Sequence, residues 1–177
     1  SGDFSRTPVA FAWLANGRSF GSKKLARPYG VTMAFDETSA YCIRSHWARA
    51  EHSGYKLYGW DLRDEYLTDA SEPDFRAPKD GKYAIPSWEA DIAVRPRGML
   101  LSGDRLYVGG MPNKEGGVTE EALDGMKGGV ISVISATDGQ TLASFELTTA
   151  PVWDGIAAAN KHLVITSVDG TVHSLGE

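Results

Sequence analysis

Gly98-Met-Leu-Leu-Ser-Gly-Asp-Arg-Leu-Tyr-Val108 and Gly155-Ile-Ala-Ala-Ala-Asn-Lys-His-Leu-Val-Ile165 align position for position, 155 − 98 = 57 residues apart. Each reads as a small or apolar strand, a two-residue polar turn and an apolar strand. Gly103-Asp104 and Asn160-Lys161 occupy the same turn, and all four residue types suit tight hairpin connections, where positive φ is common. A third copy, Thr32-Met-Ala-Phe-Asp-Glu-Thr-Ser-Ala-Tyr-Cys42, lies 98 − 32 = 66 residues upstream of the first. Its turn, Asp36-Glu37-Thr38, reads as slightly longer or shifted.

Each hairpin leads into further strand-like sequence. Gly129–Ile134, the turn Asp138-Gly139 and Thr141–Leu147 follow the copy at 98. Asp169-Gly170 and Thr171–Leu175 follow the copy at 155. Tyr55–Leu62, a loop with Pro73, Pro78 and Pro86, and a run from Glu89 to Val94 follow the copy at 32. The unit is four strands in meander order at variable spacing, which is the grammar of a propeller blade. Helix-period patterning is nearly absent, Thr119–Met126 being the one short candidate. The expected fold is therefore all-β: a partial β-propeller of four-stranded antiparallel blades. Residues 1–30 form a partial blade, 31–96 a blade with a long loop, 97–150 a blade with an insertion at 111–127, and 151–177 an incomplete terminal blade. That makes about two and a half to three blades, against the roughly four to eight of a closed ring. The expected partners are accordingly upstream blades of the same polypeptide.

Composition narrows the function classes. With 18 Lys and Arg against 23 Asp and Glu in 177 residues, the net charge is −5, the wrong sign for a phosphate-binding face, so no nucleic-acid partner is expected. No apolar run approaches the roughly 20 residues of a membrane helix. The single Cys42 excludes an internal disulfide framework and any CxxC metal site. The start at Ser1-Gly2-Asp3, without methionine or a leader, reads as a cut product of a longer chain.

Ser135-Ala-Thr-Asp-Gly-Gln-Thr-Leu-Ala-Ser-Phe-Glu-Leu147 resembles the A-x-D-x-x-T-G-x-x-x-W motif of pyrroloquinoline-quinone-like (PQQ-like) β-propeller repeats. Trp88 stands as the retained tryptophan of the preceding blade. Pro151–Asn160 running into Asp169–Leu175 is similar to the last repeat of large bacterial secreted proteins of this type. The resemblance implies a secreted, periplasmic or cell-envelope location. The repeat serves both quinone-dependent dehydrogenases and non-catalytic scaffolds. A dehydrogenase implies an adjacent Cys-Cys pair, an indole over the quinone and a calcium site with a catalytic Asp; Cys-Cys is absent, so no cofactor is expected outside that alternative.

The side chains give few chemical signals. GxSxG, GxxxxGK[ST] and a βα-turn GxGxxG are all missing, and no catalytic residue is assigned. Gly109-Gly110, Gly116-Gly117 and Gly128-Gly129 read as loop. His46 and His52, with Glu51 beside them, fit neither HxxxH on a helix nor HxH on a strand, so no metal site is assigned. His162 and His173 fall in adjacent strands and could pair across the hairpin. Asp36-Glu37 and Glu120-Glu121 read as solvated turns. Cys42 reads as a buried, inert thiol. The ligand-binding candidates are Trp153-Asp154 at the start of the last blade and Arg95 and Arg97, flanking Pro96, at the corresponding point of the one before; Arg suits carboxylate or phosphate. Aromatic density at Trp47, Tyr55, Tyr58, Trp60 and Tyr66 suits protein or saccharide recognition. Alternation puts Tyr55, Leu57 and Gly59 on one face and Lys56, Tyr58 and Trp60 on the other. The expected function is a non-enzymatic binding scaffold. The alternatives are part of a quinone-dependent dehydrogenase and a carbohydrate-binding propeller.

Overall fold

The computed structural model describes residues 30–47, 53–63, 86–113, 124–126 and 128–176. The partial blade at 1–30 apart from Gly30, the proline-containing loop apart from Pro86, Tyr66, His52, Glu51, Glu120-Glu121, Gly116-Gly117 and the side chains of His46 and Trp47 lie outside the described residues. Among the described residues there is no helix. Asp124 and Gly125 form a turn and Met126 is exposed, so that end of the candidate helix is not helical.

Eleven strands form three antiparallel sheets. The first is a meander of β1 (Thr32–Phe35), β2 (Ser39–Trp47), β3 (Ser53–Asp61) and β4 (Trp88–Ile92). The second repeats it with β5 (Val94–Ser102), β6 (Arg105–Pro112), β7 (Gly129–Ser135) and β8 (Thr141–Leu147). The third has β9 (Pro151–Ala159), β10 (His162–Ser167) and β11 (Val172–Gly176). The run expected from Glu89 to Val94 is divided: β4 ends at Ile92 and Val94 opens β5. The first strands share one side of the molecule, with β5 lying against both β1 and β9. The sheets are therefore blade-like layers sharing an inner edge.

The three hairpins share one register. Thr32 faces Ile43, Gly98 faces Gly109, and the turn-flanking pairs Ser102↔Arg105 and Ala159↔His162 keep the 57-residue offset. Asn160 and Lys161 both take positive φ (51° and 64°), and Gly103 takes 61°, as the favoured primed hairpin turns do. The first hairpin turns at Glu37-Thr38, which occupy the positions 66 residues before Gly103-Asp104, so the turn is neither longer nor shifted. Neither residue takes positive φ. Instead the Asp36 carboxylate accepts the Thr38 and Ser39 N–H groups, each at 2.8 Å. The same bonds hold its pKa below the usual carboxylate value.

The pleat sends alternate residues to opposite faces, and the main core fills the space between the first two sheets. Tyr41, Ile43, Leu57, Ile92 and Val94 pack there against Leu106, Val108, Val130 and Ile134. The other face of the second sheet presents Ile131, Leu100 and Tyr107 to Leu163, Ile165 and Ile156 of the third. Cys42, Tyr58 and Trp60 are buried on the far face of the first sheet, so β3 buries Tyr58 and Trp60 on that face and Leu57, beside a half-buried Tyr55, on the other. Burial raises the Cys42 thiol above its ordinary pKa.

Gly109-Gly110 belongs to β6 rather than to a loop, because side chains would collide there. A Cβ on Gly109 would strike Ile156 Cδ1, and one on Gly110 would strike the Arg95 carbonyl oxygen. Strand β6 continues to Pro112 before the insertion begins.

Candidate functional site

Trp88 and Ala143 occupy equivalent positions in successive sheets: Gly59 faces Trp88, Val133 faces Ala143, and both lie two residues before the third strand's pairing with the hairpin turn. The Trp88 indole N–H donates to the Ala136 carbonyl of the second sheet at 3.1 Å. Gly59 lies beside the ring within the first sheet, and Gly139 (φ 77°) in the β7–β8 turn meets it from the second. A Cβ at Gly139 would lie 2.6 Å from Trp88 Cε3. Tyr41 completes the setting, its ring centroid 5.9 Å away. Trp88 thus ties one sheet to the next structurally.

Beside it a cleft of about 260 Å³ opens between the sheets, lined by Tyr41, Asp61, Ser87, Trp88, Asp104 and Thr137, among others. Its carboxylates are already engaged. Arg63 hydrogen-bonds Asp61 through side chain and backbone and draws its pKa down to about 2; Arg105 approaches Asp104 at 3.7 Å.

The sequence-derived candidates meet at the junction of the second and third sheets. A β-bulge interrupts β5 between Pro96 and Gly98, and such an extra residue re-aims a side chain. Arg97 is only 7% exposed. Its Nη1 donates to the Pro151 carbonyl at 3.2 Å, and its guanidinium lies 5.9 Å from the centroid of the Trp153 ring. Burial is the main influence on Arg97 and lowers its pKa; Asp124 opposes that shift and Arg95 adds to it. Trp153 itself is 71% exposed. Asp154 is exposed and holds φ 54°, the left-handed region. Its Cα lies 3.5 Å from where a Cβ on Gly98 would sit. Arg97, Trp153 and Asp154 are therefore brought together, with Arg95 near enough to feel the Arg97 charge. Gly125 (φ 80°) lies against the guanidinium and leaves no room for a Cβ.

His162 and His173 do not pair. His162 faces Gly176 and its Nδ1 lies 3.1 Å from Ser174 Oγ, whereas His173 faces Ile165. Lys56 pairs across the sheet with Glu89 at 3.3 Å and Asp91 at 3.7 Å. Sequence reasoning missed Asp124, Gly125 and Pro151 as neighbours of Arg97. The glycine at Gly125 was the available signal.

Compared with known proteins, the chain matches no family model and no curated protein. Among solved structures it is similar to the crystal structure of the computationally designed Ika4 protein, with 12% sequence identity and a TM-score of 0.42 over 81% of this chain. It spans 63% of the length of that protein. Cys42, the single cysteine of the sequence, is buried in the first sheet with Tyr58 and Trp60.

Proposed function

We propose that the chain is a non-enzymatic binding scaffold, a run of propeller blades whose third sheet takes a further strand from adjoining blades of the same polypeptide. The observation that carries this reading is the open edge of β11. The first two sheets carry a fourth strand, β4 and β8, but the third has three described strands and ends at β11, with β10 on one side and no described strand on the other. An edge of unpaired N–H and C=O groups is a template for another strand.

The apolar surface beside that edge supports the reading. Phe145 faces Ile131, whose side chain packs toward the third sheet, yet Phe145 is 46% exposed. Leu175 faces Leu163 on the inward side and is 38% exposed. A strand added along β11 would run beside both. The position equivalent to Phe145 in the first sheet is Ala90, which is half-buried against the Gly139 turn of the second sheet.

The test uses the 177-residue chain, with light scattering across a concentration series and hydrogen exchange of the β11 amides. Concentration-dependent association, reduced by Phe145→Lys and accompanied by slowed exchange in β11, is the expected result. A monodisperse monomer with a cooperative melt above about 60 °C, the upper mesophile range, and protected β11 amides would overturn the reading.

A further inference from the structure

We propose that Trp153 is the platform of a binding site for a neutral saccharide, with Arg95 and Asp154 as its polar contacts. The site does not depend on the strand-docking reading, since β11 is not part of it.

Tryptophan is highly buried on average, and Trp153 is 71% exposed. The Arg97 guanidinium backs one face of the ring, and Arg97 is itself fixed by burial and by the Pro151 carbonyl. The indole is thus held from beneath with its opposite face toward solvent. Two backbone irregularities meet here: the bulge at Pro96/Gly98 and the left-handed Asp154. Positive φ is uncommon outside glycine, Asp being among the residues that adopt it, and such irregular backbone gathers where a ligand is held.

The polar groups select the ligand. Among the described residues, neither Arg95 nor Asp154 enters an ion pair. Asp154 follows Trp153 in β9 and Arg95 lies on β5, the strand packed against β9, so a cationic donor fork and an anionic acceptor, both unengaged, stand on the strands that carry the exposed indole. Among the described residues, Arg95 and Arg97 are balanced by Asp124 and Asp154, so their charges sum to zero. An anion attracted by Arg95 would meet both carboxylates. A cation over the indole would oppose Arg97 across the ring. A pyranose meets all the conditions at once. Its C–H face lies on the indole, and its vicinal hydroxyls accept from Arg95 and donate to Asp154, as charge-assisted bonds.

The experiment titrates the full chain with neutral hexasaccharides (cellohexaose, mannohexaose, chitohexaose), with hexagalacturonate and with a hexaglutamate peptide. Calorimetry and tryptophan emission are the readouts. At least one neutral hexasaccharide is expected to bind saturably and to shift the emission. Trp153→Ala should weaken it by about tenfold or more, equivalent to about 1.4 kcal/mol, and Arg95→Met should weaken it while leaving the emission of the free protein unchanged. The melting temperature of each variant confirms that it is folded; Trp153→Phe, which keeps a flat ring, should retain part of the affinity. The proposal is overturned if no neutral sugar binds, if hexagalacturonate or hexaglutamate binds tenfold more tightly than every neutral sugar, or if Trp153→Ala binds like the parent.

Discussion

Replacing Gly139 with alanine tests whether Trp88 holds the first two sheets together. Two costs arise at Gly139. Its φ of 77° lies in the left-handed region, which costs an alanine roughly 1–2 kcal/mol. The new Cβ would also sit 2.6 Å from Trp88 Cε3 and 3.1 Å from Ala90 Cβ. Forcing a methyl into a filled site costs typically about 1–3 kcal/mol, and a shifted indole strains the 3.1 Å bond to the Ala136 carbonyl. The sum is about 2–5 kcal/mol. Gly103→Ala separates the two costs, because Gly103 has φ 61° and no atom within 4 Å of its Cβ position; it should lose only about 1–2 kcal/mol. Urea denaturation of both variants, at constant m-value, gives the difference, expected at about 1–3 kcal/mol. In a Trp88→Ala background the Gly139 substitution should fall to the Gly103 value. If the two glycine variants differ by less than about 0.5 kcal/mol, the usual error of such comparisons, the docking of Trp88 on the second sheet does not stabilise the fold.

Three further outcomes follow from the same geometry. Asp36→Ala removes the acceptor of two backbone N–H groups and should cost about 0.5–2 kcal/mol, by analogy with a lost helix cap, whereas Asp36→Asn retains most of it in the same denaturation assay. Asp36, Asp138 and Asp169 all have folded pKa values below the ordinary carboxylate value of about 3.9, chiefly through hydrogen bonds at their turns; their stabilisation is present above that value and lost as pH falls through the folded pKa, so the melting temperature should drop below about pH 4, and less steeply in the triple Asn variant. Cys42 should react with a disulfide reagent only as fast as the protein opens, since its thiol is buried and its pKa raised; reaction at the rate of a free thiol in native buffer would contradict the burial of the first sheet's far face.

The hairpins were legible because turn chemistry and alternation both act over a few residues. Asn160-Lys161 and Gly103-Asp104 announce their turns, and the apolar runs beside them set which face is buried. The turn at Glu37-Thr38 was misjudged because it takes no positive φ; the Asp36 side chain replaces the special backbone, a substitution that residue counting does not reveal. Gly109-Gly110 was misread for a related reason. Glycine pairs commonly mark loops, but here Ile156 and the Arg95 carbonyl need the space. Arg97 and Trp153 were legible as candidates from their positions at the starts of successive blades. Their stacking was not, because it depends on a one-residue bulge in β5 and on the burial of Arg97 beneath a strand 54 residues away.

The common register of the sheets bears on how such a chain can grow. Copying the segment from Val94 to Leu147 in tandem would set each new sheet on the last in the same frame, Ile131 of one copy over Leu106 of the next. At every such seam, however, the position filled by Trp88 at the existing joint would hold Ala143, facing the Asp138-Gly139 turn of the following copy. Val133 also stands where Gly59 makes room for the Trp88 ring, since a Cβ on Gly59 would collide with the indole. The middle sheet therefore accepts a neighbour on its first face as it stands, but could serve as a template for its own multiplication only with Ala143→Trp and Val133→Gly together, which makes that cross-strand pair the limit on lengthening the array.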